Sequence, residues 1–406
     1  MSVPMSIEEA GAVAKRALTG DRLPAALARG DWGVPLLARL IAQADPAWCV
    51  QARGVAIAWV ADRRKGVPEA RLFGGGLAGL LAGLTHAEIL EPRLASLTDI
   101  VRGRLAAWAA RQRVRQEGPL SAEYDLITGG SGAVVALAHA PRCQPEEIRP
   151  AISSLTALCG APDLAGLRHR SIEPNPLLRW NAGRRNHGLA HGVPGVLAAL
   201  IAARPFVADA DLRQHLAIVR RLAEYLRDQA VRGERGVITW RRGSGHEPVS
   251  VTAARRQAWC YGTPGVAWQL VESGRILDDR ELSECGLRAF SSLCQSWDDD
   301  YYLRAESRTA QLTLCHGAPG VLAVASTFAR RAGLAEAVGL AAHLDEALAS
   351  RLPTWFQGTD APVRVLDGTA GTLAVLLAGH DRMDILAALG LGNRTPWIAI
   401  TGAAAQ

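Results

Sequence analysis

The chain has 406 residues, 49% of them hydrophobic, with a mean hydropathy of +0.07, a net charge of +6 and a pI near 9.1. That is enough apolar material for a sizeable core, and the dominance of alanine, leucine and glycine over β-branched runs points to helix. Composition argues against several classes: no apolar run reaches the roughly 18–20 residues of a membrane span, seven cysteines are too sparse for a disulfide framework, and the arginine clusters lack the interleaved aromatic residues of a base-stacking surface.

The N-terminal stretch MSVPMSIEEAGAVAKRAL has no basic segment leading into an apolar one. No secretory signal is therefore expected, and the protein is placed in the cytosol. The surplus arginine suits a solvated surface or attraction to an acidic partner such as a peptide.

Reading forward, one short pattern recurs. A glycine pair spaced by three residues opens an apolar segment at Gly76-Leu-Ala-Gly79, Gly129-Gly-Ser-Gly132, Gly192-Val-Pro-Gly195, Gly262-Thr-Pro-Gly265, Gly317-Ala-Pro-Gly320 and Gly368-Thr-Ala-Gly371. The steps between them are roughly 50 to 70 residues, which a helical hairpin fills and a lone helix does not. The intervening segments are amphipathic. Asp211 to Ala230 carries Leu212, Leu216, Val219, Leu222 and Leu226 along one face.

Each unit thus reads as an outer amphipathic helix, a glycine turn, and an inner helix that is apolar nearly all round. Inner helices of that kind favour closure, because an open array would leave one inner face wet. The expectation is an all-α fold: an (α/α)6 toroid of six helical hairpins, forming a single domain over residues 1–406. Two connections are longer than a hairpin needs, 164–185 and 233–256. The second contains GVITWRR, whose alternation predicts a small β insertion.

Equivalent turns place equivalent residues on one rim. Directly before each first glycine stand Gly75, Thr128, His191, Tyr261, His316 and Asp367. One residue earlier stand Gly74, Ile127, Ala190, Cys260, Cys315 and Leu366. Two thiols and an imidazole from adjacent repeats suit zinc, and three protein ligands leave its fourth position open for a substrate. Cys260, Cys315 and His316 are the expected metal ligands. Cys49, Cys143, Cys159, Cys285 and Cys294 stand at no repeat junction and read as structural.

Four other residues are candidates for catalysis. His191 shares the rim and can move a proton at neutral pH. Asp125, before the second turn, can orient a histidine. Arg256, four residues before Cys260, can stabilise an enolate or hold a carboxylate, and Tyr261 can donate a hydrogen bond. His187 and Asp367 are weaker candidates. TGGSGA is not a serine-hydrolase elbow, since Ala133 stands where the second glycine belongs.

NHGLAHGVPG (186–195), WCYGTPG (259–265) and LCHGAPG (314–320) resemble the signature motifs of the lanthionine synthetase C-like cyclases, and FGGGLAGL and LDGTAGTL fit that family's first and last repeats. The resemblance covers about residues 70–380. It implies a zinc-dependent lanthipeptide cyclase of the nisin cyclase type, which adds peptide cysteine thiols to dehydroalanine or dehydrobutyrine to form (methyl)lanthionine rings. It implies zinc on Cys260, Cys315 and His316, catalytic roles for His191, Asp125, Arg256 and Tyr261, a dehydrated precursor peptide as substrate, and a separate dehydratase to prepare it. His187 departs from the residue many members carry there. Competing readings are a glutathione-type thiol transferase on the same ring of helices, a zinc-dependent prenyltransferase, and a non-catalytic zinc-stabilised scaffold that binds peptide.

Overall fold

An inner helix that presents apolar side chains in every direction needs neighbours in every direction, and a closed ring supplies them. In the computed structural model, which describes residues 7–20, 22–29, 31–62, 69–113, 118–170, 176–245, 255–304, 306–358 and 362–378, the inner helices pack in chain order. They are Gly33–Ala44, Leu77–Leu90, Gly130–His139, Val193–Ala203, Thr263–Leu277, Ala318–Arg331 and Thr369–Ala378. Each packs on the next, and the last returns to the first. Val193–Ala203 is buried at every residue. The outer layer comprises Cys49–Asp62, Ala95–Arg111, Pro145–Leu158, Asp209–Asp228, Arg280–Ser296 and Ala335–Gly358, with Ile7–Ala17 covering the seam between first and last inner helices.

The all-α toroid and its six glycine-opened hairpins are present, and the ring takes a seventh pair that the expected (α/α)6 count left out. Its signal is Gly30-Asp31-Trp32-Gly33, a glycine pair of the same spacing, with Gly30 itself outside the described residues. Gly33 does what the second glycines do. A Cβ there would meet Ala370 Cβ at 2.5 Å and Val365 Cγ2 at 3.2 Å.

The second glycine of each turn explains the repeat. In Gly132, Gly195, Gly265, Gly320 and Gly371, a Cβ would run into the carbonyl of the residue three before the unit's own first glycine. It would also press on a side chain of the preceding unit: Leu72, Leu126, Leu189, Trp259 and Leu314 in turn. Only glycine lets one turn lie that close to the next.

The seam is held by Asp31. Its Oδ1 accepts from Gly33 N at 2.9 Å and from Val365 N at 3.2 Å. Burial pushes its carboxyl up to about 6, against those two bonds.

The long outer helix runs Asp209–Asp228, and its buried stripe is His215, Ile218, Val219, Leu222, Ala223 and Leu226. Compared with the expected leucine face, it is rotated so that Leu212 and Leu216 lie at the edge. The β insertion is a two-stranded hairpin, β1 (Ala230–Arg232) and β2 (Ile238–Trp240), antiparallel with Val231 opposite Thr239. It is tied to outer helices by Trp240 Nε1, which donates to Leu226 O at 2.6 Å, and by Ile238 N, which donates to Ser292 Oγ at 2.9 Å. Residues 246–254 of that insertion lie outside the described residues. All seven cysteines are free thiols. Among the described residues, no helix is long and apolar enough to cross a membrane.

Three predictions test this packing and its seam. Gly320→Ala should cost about 2–3 kcal/mol or more, since the new methyl meets Trp259 Cβ at 2.9 Å and backbone beside it. Gly103→Ala, on an outer helix with nothing within 4 Å, should instead gain roughly 0.5–1 kcal/mol in urea unfolding. Asp31 has a folded pKa above its unfolded one, so its contribution is complete below about pH 4 and is lost as pH rises through about 6. Asp31→Asn should therefore gain up to about 3 kcal/mol over wild type at pH 7.5, and the gain should vanish near pH 4.

Candidate functional site

The turn that carries Cys260 is fixed by its backbone. Gly262 takes φ 87°, which favours glycine, and Gln257 Oε1 accepts from Thr263 N at 2.8 Å. Ala258 N donates to Tyr261 O at 2.9 Å. The neighbouring turn is tied to the one after it, with Cys315 N donating to Leu366 O at 2.9 Å. Trp259 reaches across and packs on Gly320, which brings the two turns together.

The result is one donor group. The ligand atoms of Cys260, Cys315 and His316 all lie within 4.8 Å of one another. Two bonds of about 2.3 Å from sulfur to zinc span nearly that distance, and two thiols with an imidazole are the donor types zinc prefers. These residues could hold a metal ion.

The electrostatics agree. Burial alone would raise the Cys260 thiol, yet a hydrogen bond from Cys315 and the charge and hydrogen bond of His316 hold it well below the usual thiol range. That bond, and then burial, push Cys315 well above it. The negative charge of Cys260 raises His316 despite burial.

On the adjoining turn, His191 Nδ1 faces Asp125 Oδ2 at 2.6 Å. Asp125 is fully buried, and its other oxygen accepts from Thr128 N at 2.6 Å, Thr128 Oγ1 at 2.9 Å and Gly129 N at 3.0 Å. A carboxylate so restrained fixes the imidazole, leaving proton exchange to Nε2. Tyr124, which the sequence did not single out, adds a second restraint. Its hydroxyl donates to His191 O at 3.0 Å and meets His169 Nε2 at 2.6 Å.

Tyr261 lies beside Cys260 with its ring against Gly188. Its hydroxyl accepts from Asn186 Nδ2 at 2.9 Å, so the phenol proton stays available to an acceptor. Burial raises the phenol well above its usual range. Arg256 is paired with Glu306, its Nε donating to Oε1 at 2.6 Å. It lends positive charge to the two sulfurs.

The two weaker candidates hold partners of their own. His187 is buried, packs edge-on to Tyr225, meets its hydroxyl at 2.8 Å, and is held neutral by burial with a pKa near 4. Asp367 is exposed and pairs with Arg364 at 2.7 Å.

With this geometry established, comparison with known proteins gives a decisive match. A family model described as "Lanthionine synthetase C-like protein" matches residues 52–387. The chain belongs to the lanthionine synthetase C-like family. The solved structure of nisin cyclase is similar over 95% of this chain and 96% of its own, with a TM-score of 0.71 and 19% identity, and it shares the toroidal fold of this family member. A solved structure described as a possible member of the GH105 family from Salmonella enterica subsp. enterica serovar Paratyphi A aligns over 95% and 94% of the chains at 12% identity, with a TM-score of 0.40. No curated protein matches.

The donor group of this lanthionine synthetase C-like chain predicts a spectroscopic result. Loading the purified protein with Co2+ should give sulfur-to-cobalt charge-transfer absorption. Cys260→Ala and Cys315→Ala should each weaken the band and lower metal affinity by at least about tenfold. An unchanged spectrum in both variants would remove the site.

Proposed function

We propose that this chain is a zinc-dependent lanthipeptide cyclase. Its substrate would be a dehydrated precursor peptide, prepared by a separate dehydratase. The observation that carries this reading is the juxtaposition of one donor group, Cys260, Cys315 and His316, with a buried-carboxylate histidine on the adjoining turn, in a chain of this family. Metal content, substrate and residue roles belong to the proposal.

Zinc bound at the donor group would supply a Lewis acid that ionises a peptide thiol at neutral pH, the thiol proton leaving to solvent, from which His191 recovers the one it later gives up. The peptide sulfur then forms a bond to the β-carbon of a dehydroalanine or dehydrobutyrine. The alkene electron pair moves onto the adjoining carbonyl as an enolate, and the α-carbon takes up a proton. His191 supplies that proton from Nε2. Asp125, bonded at Nδ1, stabilises its cationic form and holds its ring. The Tyr261 hydroxyl is placed to donate to the enolate oxygen. Arg256, tied to Glu306, contributes charge near the sulfurs rather than direct contact.

A closed, purely structural zinc site would need a fourth protein ligand. The two rim residues best placed to serve hold other partners, His191 with Asp125 and Asp367 with Arg364.

Ring closure leaves peptide mass unchanged but consumes a thiol, so thiol-capture mass spectrometry on a peptide carrying cysteine and dehydroalanine reads it. His191→Asn should keep its metal and slow closure by about 10²–10⁴-fold. Closure at the wild-type rate in His191→Asn, or by a metal-stripped protein, would overturn the mechanism.

A further inference from the structure

Arg242 is the cation at this site that the mechanism does not use. It follows β2, in the segment 240–244 that runs beside 184–187. His187 N donates to Arg242 O at 2.8 Å, Ser244 N donates to Arg185 O at 2.9 Å, and Asn186 pairs with Gly243. These bonds tie the Arg242 segment to the chain that leads into the His191 turn.

Its guanidinium carbon sits over the Trp180 ring at 3.9 Å from the centroid and 5.8 Å from that of Tyr261. The two rings are edge-on to each other at 6.3 Å. The fork is therefore held in place by aromatic faces rather than by an acid. Arg256 has Glu306, Arg185 has Asp163 and Arg255 has Glu234. Arg242 has no carboxylate among the described residues, and its Nε is buried without a hydrogen-bond partner.

Other polar groups beside it are also unmet. Trp180 Nε1 is buried without a partner, as are both amide atoms of the fully buried Asn181. Asn181 Oδ1 lies against Gly243, next to Arg242 in the chain, where an added Cβ would be 3.5 Å away. Buried donors without acceptors are costly unless a ligand completes them. A stacked guanidinium presents a planar fork that matches a carboxylate.

We propose that Arg242, positioned by Trp180 and Tyr261, is a carboxylate receptor at the mouth of the site and makes the protein prefer peptides that bear an acidic group near the reacting cysteine. The inference deepens the cyclase reading by naming a substrate feature. It has a binding readout that does not depend on turnover. The acidic group has two possible sources, an aspartate or glutamate side chain or a free C-terminus.

The probe is a synthetic peptide with one cysteine and one dehydroalanine, made with aspartate or asparagine between them and with a C-terminal acid or amide. Equilibrium binding is measured with the serine-containing, non-dehydrated counterparts, and ring closure with the dehydrated set. Wild type should bind the aspartate peptide, the C-terminal acid, or both, at least about tenfold more tightly than the neutral amide. The arm that carries the preference identifies the source.

Arg242→Gln should bring that ratio close to one. Arg242→Lys, which keeps the charge and loses the fork, should fall between. The wild-type preference should also shrink with added salt, which tests the receptor should the variants fold poorly. Equal binding of acidic and neutral peptides by wild type, or a ratio unchanged in Arg242→Gln, would overturn the proposal. A binding preference without any ring closure in wild type would instead remove the cyclase reading and leave the receptor standing.

Discussion

The structure depends on how closely one glycine turn can approach the next. In five of the turns the second glycine rests on a carbonyl of its own unit and on a side chain from the preceding one. Any Cβ there would push neighbouring units apart. Because the contact repeats around the ring, it fixes both the spacing of the inner helices and the height at which each turn ends. The rim is a consequence of that packing, and so is the meeting of residues distant in sequence. Trp259 on Gly320 joins the Cys260 turn to the Cys315–His316 turn. Leu189 on Gly265 joins the His191 turn to the Cys260 turn.

On this rim, two kinds of restraint produce two kinds of chemistry. Cys260, Cys315 and His316 share charge and hydrogen bonds among themselves, an arrangement that a cation can take over. His191 instead answers to a single carboxylate, buried and saturated with donors, that sets which ring nitrogen works. Burial serves both. It surrounds Cys260 with apolar neighbours while Cys315 and His316 stay half-buried, and burial of Asp125 makes its bond to His191 stronger than it would be in solvent.

Much of this was legible in the sequence, because the repeat turns position into contact. Cys260, Cys315 and His316 are chemically rare residues at equivalent places, so their convergence follows from the fold alone. His191 was readable for the same reason, and Asp125 from its place just ahead of the second turn. The seventh hairpin was also written there, as Gly30 and Gly33, but its turn carries no cysteine or histidine to draw notice. Glu306 was not legible. It lies in an irregular stretch outside the repeat, and nothing in its neighbours marks it as the partner of Arg256. Trp180 and Arg242 were hidden likewise, each in one of the two long connections, where periodicity gives no register. Asn186 stood inside a recognised motif, yet its bond to Tyr261 needs two turns in three dimensions.

Closure of the ring has a kinetic side. The bond from Val365 to Asp31 spans 334 positions of chain, and Gly33 seats Ala370 in the same seam. Long-range pairings of this kind form slowly, since the entropy of bringing distant segments together must be met first. A nascent chain emerging from the ribosome holds Asp31 long before Val365 exists. Its early hairpins must therefore wait, with one flank of the first inner helix uncovered, until the segment around Val365 has been made.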